Sequence, residues 1–79
     1  MGKTIERMRA NPRGDWRIAD VEKACREVDA QCLPPKSGSH YKVRNPQTGR
    51  KLPIPARRPI KAVYIEMLVA FLDDVEAGR

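Results

Sequence analysis

The sequence predicts an α+β two-layer sandwich: a small antiparallel three-stranded sheet with two helices on one face, after a short N-terminal helical extension. Three observations lead there. Apolar residues recur at spacings of three and four in two separate runs, near either end of the chain. Between them a short stretch alternates apolar with polar residues on both sides of a turn-forming pentapeptide. The chain has 79 residues, enough for one domain with one modest core, since a chain of this size hides only about 60% of its unfolded surface. Any chemistry should therefore lie on an open face.

Residues 3–10 read as one or two helical turns, stopped by Asn11-Pro12-Arg13-Gly14. Residues 1–14 are thus an extension and 15–77 the domain proper. Asp15 occupies a natural N-cap position. Ile18, Val21, Cys25 and Val28 then give a helix over 16–31 one apolar stripe, with Asp20, Lys23, Arg26, Glu27 and Asp29 on its other face. Cys25 and Cys32 on one helix would stand two turns apart, roughly 10 Å, too far for a disulfide. They read as buried or half-buried thiols of a reducing cytosol.

Leu33 starts a short first strand, which Pro34-Pro35 confine to an edge or a strand end. In the second strand Tyr41 and Val43 alternate with His40, Lys42 and Arg44. Asn45-Pro46-Gln47-Thr48-Gly49 makes the turn. In the third strand Leu52 and Ile54 point inward. Pro53 and Pro55 remove two donors from one side, so this is an edge strand. Pro59 suits the first position of the last helix, which runs to about residue 76 and stops at Gly78. Its main stripe is Ile60, Val63, Tyr64, Met67, Leu68, Phe71 and Val75. Ile65, Val69 and Leu72 widen it, either to pack on the first main helix or to dock another chain. Both helices should cover the face of Tyr41, Val43, Leu52 and Ile54. The open face then carries His40, Lys42, Arg44 and Lys51.

The net charge is +6, and its distribution matters more than its size. No Asp or Glu occurs between Ala30 and Ile65, a stretch holding Lys36, Lys42, Arg44, Arg50, Lys51, Arg57, Arg58 and Lys61. All ten acids lie in the flanks, mixed with cations. A one-sign surface of this kind suits a polyanion, nucleic acid first and an acidic protein second. The opening MGKTIERMR has no apolar signal core and no run approaches membrane-spanning length, so a soluble, intracellular protein is expected.

His40 is the only histidine, which narrows the chemistry. A Ser-His-acid triad needs a carboxylate that its surroundings lack. A Cys-His pair would have to reach across from the apolar helix side. Metal hydrolysis needs several ligands in one place, so neither a metal nor another cofactor is expected. What remains is an imidazole among cations, after the flexible Ser37-Gly38-Ser39. Neighbouring positive charge favours the neutral, proton-accepting ring, while Lys36, Lys42 and Arg44 could hold a phosphate. Those parts suffice for RNA cleavage without metal: a base takes a 2′-hydroxyl proton and the oxygen attacks phosphorus. Arg57, Arg58 and Lys61, read at a helix start, form a second phosphate clamp. The plainer readings are a solvated strand histidine and a solubilising basic loop.

With Gly38-Ser39-His40, the turn and proline-bearing strand through Asn45-Pro46, Gly49 and Leu52-Pro53-Ile54-Pro55, and a basic lead into a helix with Ile65-x-x-Leu68, residues 16–75 resemble the HicA family of toxins from bacterial type II toxin–antitoxin pairs. MRANPRGDW resembles the N-terminal extension of a subgroup. The resemblance implies a double-stranded-RNA-binding-domain-like αβββα fold and an mRNA interferase, an endoribonuclease whose catalytic histidine is His40. Together with the charge pattern, that activity makes Lys36, Ser39, Lys42, Arg44, Arg57, Arg58 and Lys61 the candidate RNA contacts. A HicB-like antitoxin would mask the site, with Ile65, Val69 and Leu72 as docking candidates, in the bacterial cytoplasm. Where many members carry a second histidine, this chain has Tyr41. A non-catalytic module for structured RNA and a basic protein-interaction domain are the alternatives.

Overall fold

The computed structural model describes residues 2–79. Helix α1 spans Lys3–Ala10, α2 Ile18–Glu27 and α3 Ala62–Ala77; strands β1, β2 and β3 span Gln31–Leu33, His40–Arg44 and Lys51–Pro55. The sheet is antiparallel in the order β1-β2-β3, so the proline-bearing strand is an edge, as the missing donors require. Cross-strand partners share a face. The register therefore puts Cys32, Val43 and Leu52, and beside them Tyr41 and Ile54, on the inner face. Val43, Leu52 and Ile54 are buried there and Tyr41 is only half-buried. The outer face collects His40 with Pro55, Leu33 with Lys42 and Pro53, and Gln31 with Arg44 and Lys51.

The β2–β3 turn closes as its residues dictate. The Asn45 carboxamide oxygen accepts the Gln47 amide at 2.9 Å, and the Asn45 carbonyl accepts the Gly49 amide at 2.7 Å. Gly49 takes the positive φ of 77° that the reversal demands and that a side chain would resist.

The first main helix is shorter than its periodicity suggests. Its cap is Arg17, not Asp15, and the Asp20 carboxylate returns to the Arg17 amide at 3.0 Å. Trp16 explains the delay, because it is buried and engaged as a strap. Its indole donates to the Asn11 carbonyl at 2.7 Å, and its own carbonyl accepts the Ile60 amide at 2.9 Å. At the other end Asp29 adopts a left-handed φ of 60° and the Ala30 amide returns to the Cys25 carbonyl at 2.9 Å, ending α2. Cys32 thus lies in β1 rather than on the helix with Cys25, and the expected two-turn separation does not exist. The two thiols are neighbours: proximity of Cys32, together with burial, pushes the Cys25 thiol up from its ordinary value.

The last helix begins at Ala62 with Lys61 as its cap. Pro59 follows a cis peptide bond and lies outside the helix, so it is not the first helical residue. Only Lys61 of the three clamp cations sits at the helix start; Arg57 and Arg58 belong to the preceding loop. The end at Gly78 is as expected, with its amide returning to the Asp74 carbonyl at 3.1 Å.

The buried stripe of α3 is Ile65, Leu68, Val69, Leu72 and Val75, with Ile60 just before it. The residues expected to form the lateral flank are thus core. Ile65 and Leu72 are 0% exposed and Val69 7%, so none is available as an antitoxin-docking surface. Val63 and Met67, read as core, are instead exposed. The stripe is rotated because α1 supplies a further wall. Ile5 and Met8 are fully buried in the same cluster as Val21, Val28, Val43 and Leu72, and α1 lies against both α2 and α3. Residues 3–10 belong to the core of the domain rather than to an appended segment. Arg9 fixes that wall to α3 through both oxygens of Asp73, at 2.8 and 3.0 Å.

Candidate active site

Two parts of the acid-free stretch, the start of β2 and the segment after β3, meet at His40. Strand β2 starts at this residue, directly opposite Pro55 at the end of β3, and the Ala56 amide donates to the Ser39 carbonyl at 2.8 Å. That bond holds the loop leading to α3 against the loop leading into β2. The result is a cleft of about 410 Å³ lined by Ser39, His40, Pro55, Arg57, Lys61 and Tyr64. Ser39 and His40 come from the β2 start, Arg57 and Lys61 from the loop and cap before α3, and Tyr64 from the first turn of α3.

His40 also borders a second concavity, of about 450 Å³, on the outer face of the sheet. Its polar lining is Lys36, Ser37, Lys42 and Lys51, over an apolar floor of Leu33, Pro34 and Pro35. The imidazole is exposed on the ridge between the two. Nothing acidic lines either cleft. Lys51 stands directly opposite Arg44 across the β2–β3 ladder, and like charges in that position oppose folding.

Two sequence-selected cations fall outside the clefts. Arg58 turns to Asp15, its guanidinium 3.5 Å from the carboxylate, and Arg44 donates to the Gln31 side-chain oxygen at 3.0 Å. Of the residues selected from sequence, Lys36, Ser39, His40, Lys42, Arg57 and Lys61 line the two clefts. Two further lining residues, Lys51 and Tyr64, are not among the candidate RNA contacts taken from sequence. Lys51 carried a signal, since strand parity puts it on the open face. Tyr64 carried none that separates it from core: it is half-buried, packed on the cluster at one side and open to the cleft at the other.

Among the described residues, no three His, Cys, Asp or Glu side chains come together, and no helix is long and apolar enough to cross a membrane. The geometry offers one imidazole, the hydroxyls of Ser37, Ser39 and Tyr64, five ammonium or guanidinium groups and the Tyr64 ring around two clefts that share His40. Such a pair of clefts can bind consecutive phosphates and bring a proton acceptor to the bond between them. Comparisons with protein-family models, with curated proteins and with solved structures find no match to this chain.

Proposed function

We propose that this protein is a metal-independent endoribonuclease that cleaves mRNA, acting as the toxin of a type II toxin–antitoxin pair of the kind the HicA-like motifs imply. One observation carries the catalytic part: the single histidine stands between two acid-free cationic clefts. His40 accepts the proton of a 2′-hydroxyl, and the freed oxygen bonds to the adjacent phosphorus. The bond to the 5′-oxygen then breaks, and that oxygen takes a proton from solvent. The products are a 2′,3′-cyclic phosphate and a 5′-hydroxyl end. Arg57, Lys61 and Lys42 offset the charge that builds on the phosphate, and general-base assistance contributes about 10²–10⁴-fold. A HicB-like antitoxin would neutralise the protein in the bacterial cytoplasm by covering these clefts.

Expression in bacteria without an antitoxin tests the assignment. The wild type should arrest growth and leave RNA fragments with cyclic phosphate ends, and His40→Ala should do neither. Equal arrest and equal cleavage by the two chains would remove His40 from the chemistry. A second reading follows from the same exposed imidazole: a module that grips RNA without cutting it, for which binding would be strongly salt-dependent and the RNA would stay intact.

A further inference from the structure

The cleft beside His40 has a property that phosphate binding alone does not require. Two of its walls are apolar: the Pro55 ring at the end of β3 and the exposed side of Tyr64 on α3. Its cations, Arg57 and Lys61, stand on the same side of the molecule as that ring, and Lys61 lies one helical turn before Tyr64. The volume of about 410 Å³ falls in the range of pockets that take one small organic group, about 300–1,000 Å³. The second cleft differs: three lysines border it and it has no Phe, Tyr or Trp.

Resting on the ribonuclease reading, we infer that the Tyr64 cleft is a subsite for one unpaired nucleotide, and that the substrate at this site is single-stranded RNA. The base stacks on Tyr64 against Pro55, its phosphate meets Arg57 and Lys61, and the strand passes over His40 into the Lys36, Lys42 and Lys51 cleft. A base within a duplex has both faces stacked and its pairing edge occupied, so it cannot enter a walled pocket without leaving the helix. An aromatic face accepts any base, so the subsite selects for strandedness more than for sequence. The anchored side of Tyr64 is part of the core, which keeps its ring in place before RNA arrives.

The test is fluorescence-anisotropy titration of the full chain with a labelled, unstructured 2′-fluoro RNA, which has no attacking hydroxyl and stays intact. The same strand annealed to its complement and an abasic strand of equal length serve as comparisons. The single strand should bind at least about tenfold more tightly than the duplex. Tyr64→Phe, which keeps the stacking face, should match the wild type. Tyr64→Leu, which keeps apolar volume and is checked for folding by thermal melting, should weaken single-strand binding about 5- to 150-fold. Its affinity for the abasic strand should not change. Duplex binding as tight as single-strand binding overturns the inference, as does equal affinity of Tyr64→Leu and Tyr64→Phe. Failure to bind RNA in any form overturns the ribonuclease reading as well; binding that ignores Tyr64 overturns this subsite alone.

Discussion

Helix α1 has Gly2 at its N-cap, a residue with no side chain to receive the free amides of the first turn. Glu27, from the end of α2, receives them: its carboxylate accepts the Thr4 amide at 3.0 Å and the Ile5 amide at 3.2 Å. The residue at position 2 must be small for this to happen, because a Cβ there would collide with the Glu27 carboxylate. Gly2→Ala should therefore destabilise the protein, and Glu27→Ala should cost about 1–2 kcal/mol in urea melts, the cost typical of a lost cap. Burial by itself would raise the Glu27 carboxyl, but the Thr4 side chain and the two amides outweigh it and hold the group below its ordinary 4.5. A hydrogen bond from Arg9 likewise holds Asp73 below 3.8. For both groups the unfolded chain binds protons more readily than the folded one. Their stabilisation is thus complete above those ordinary values and is lost as pH falls through the lower, folded ones. Melting temperature should be level down to about pH 5 and then fall. Glu27→Gln should flatten the fall, and an unchanged acid limb in that variant would show that the clamp carries no linkage.

At the scale of elements, the unexpected contribution is that of α1. Ile5 and Met8 are 0% exposed, so Ile5→Ala and Met8→Ala should each cost about 2–5 kcal/mol. Met67→Ala, on the exposed side of α3 at 46% exposure, should change stability by no more than about 0.5 kcal/mol. Urea denaturation of the three variants checks this; an Ile5→Ala as mild as Met67→Ala would mean that α1 is dispensable. Elements with local causes were legible in the sequence. Alternation placed β2, turn chemistry placed residues 45–49, paired prolines made β3 an edge, and Gly78 ended α3. Elements set by tertiary partners were not. Nothing local says that α1 walls the core, so periodicity alone puts the α3 stripe about one residue-row off. Nor does local pattern show Trp16 delaying α2 or Asp29 turning the chain back early.

For the whole molecule, one fact organises the surface: the fold lines both clefts beside His40 from the acid-free stretch, and none of the ten acids borders either. His40 and its cations were legible because charge asymmetry is a property of sequence. Tyr64 was not, because only the packing of α3 decides which of its apolar residues keeps an open side. The same topology separates cations that sequence treats alike, and salt dependence can distinguish them. Lys36, Lys42, Lys51, Arg57 and Lys61 line the two clefts, whereas Arg58 is drawn to Asp15. On the proposed function, a strand threading both clefts would meet five cations and release counterions at each. Log affinity against log salt should then have a slope of about −3 to −4, at about −0.7 per phosphate of single-stranded RNA. Arg57→Ala and Lys51→Ala, one in each cleft, should each make the slope shallower by about 0.7. Arg58→Ala should leave it within error, although it removes the same charge from the neighbouring residue. Titrations of uncleavable RNA over a range of salt measure all four slopes. If Arg58→Ala matches Arg57→Ala, the protein attracts RNA by diffuse charge alone. If Lys51→Ala has no effect, the strand stops at His40 and the second cleft belongs to something else.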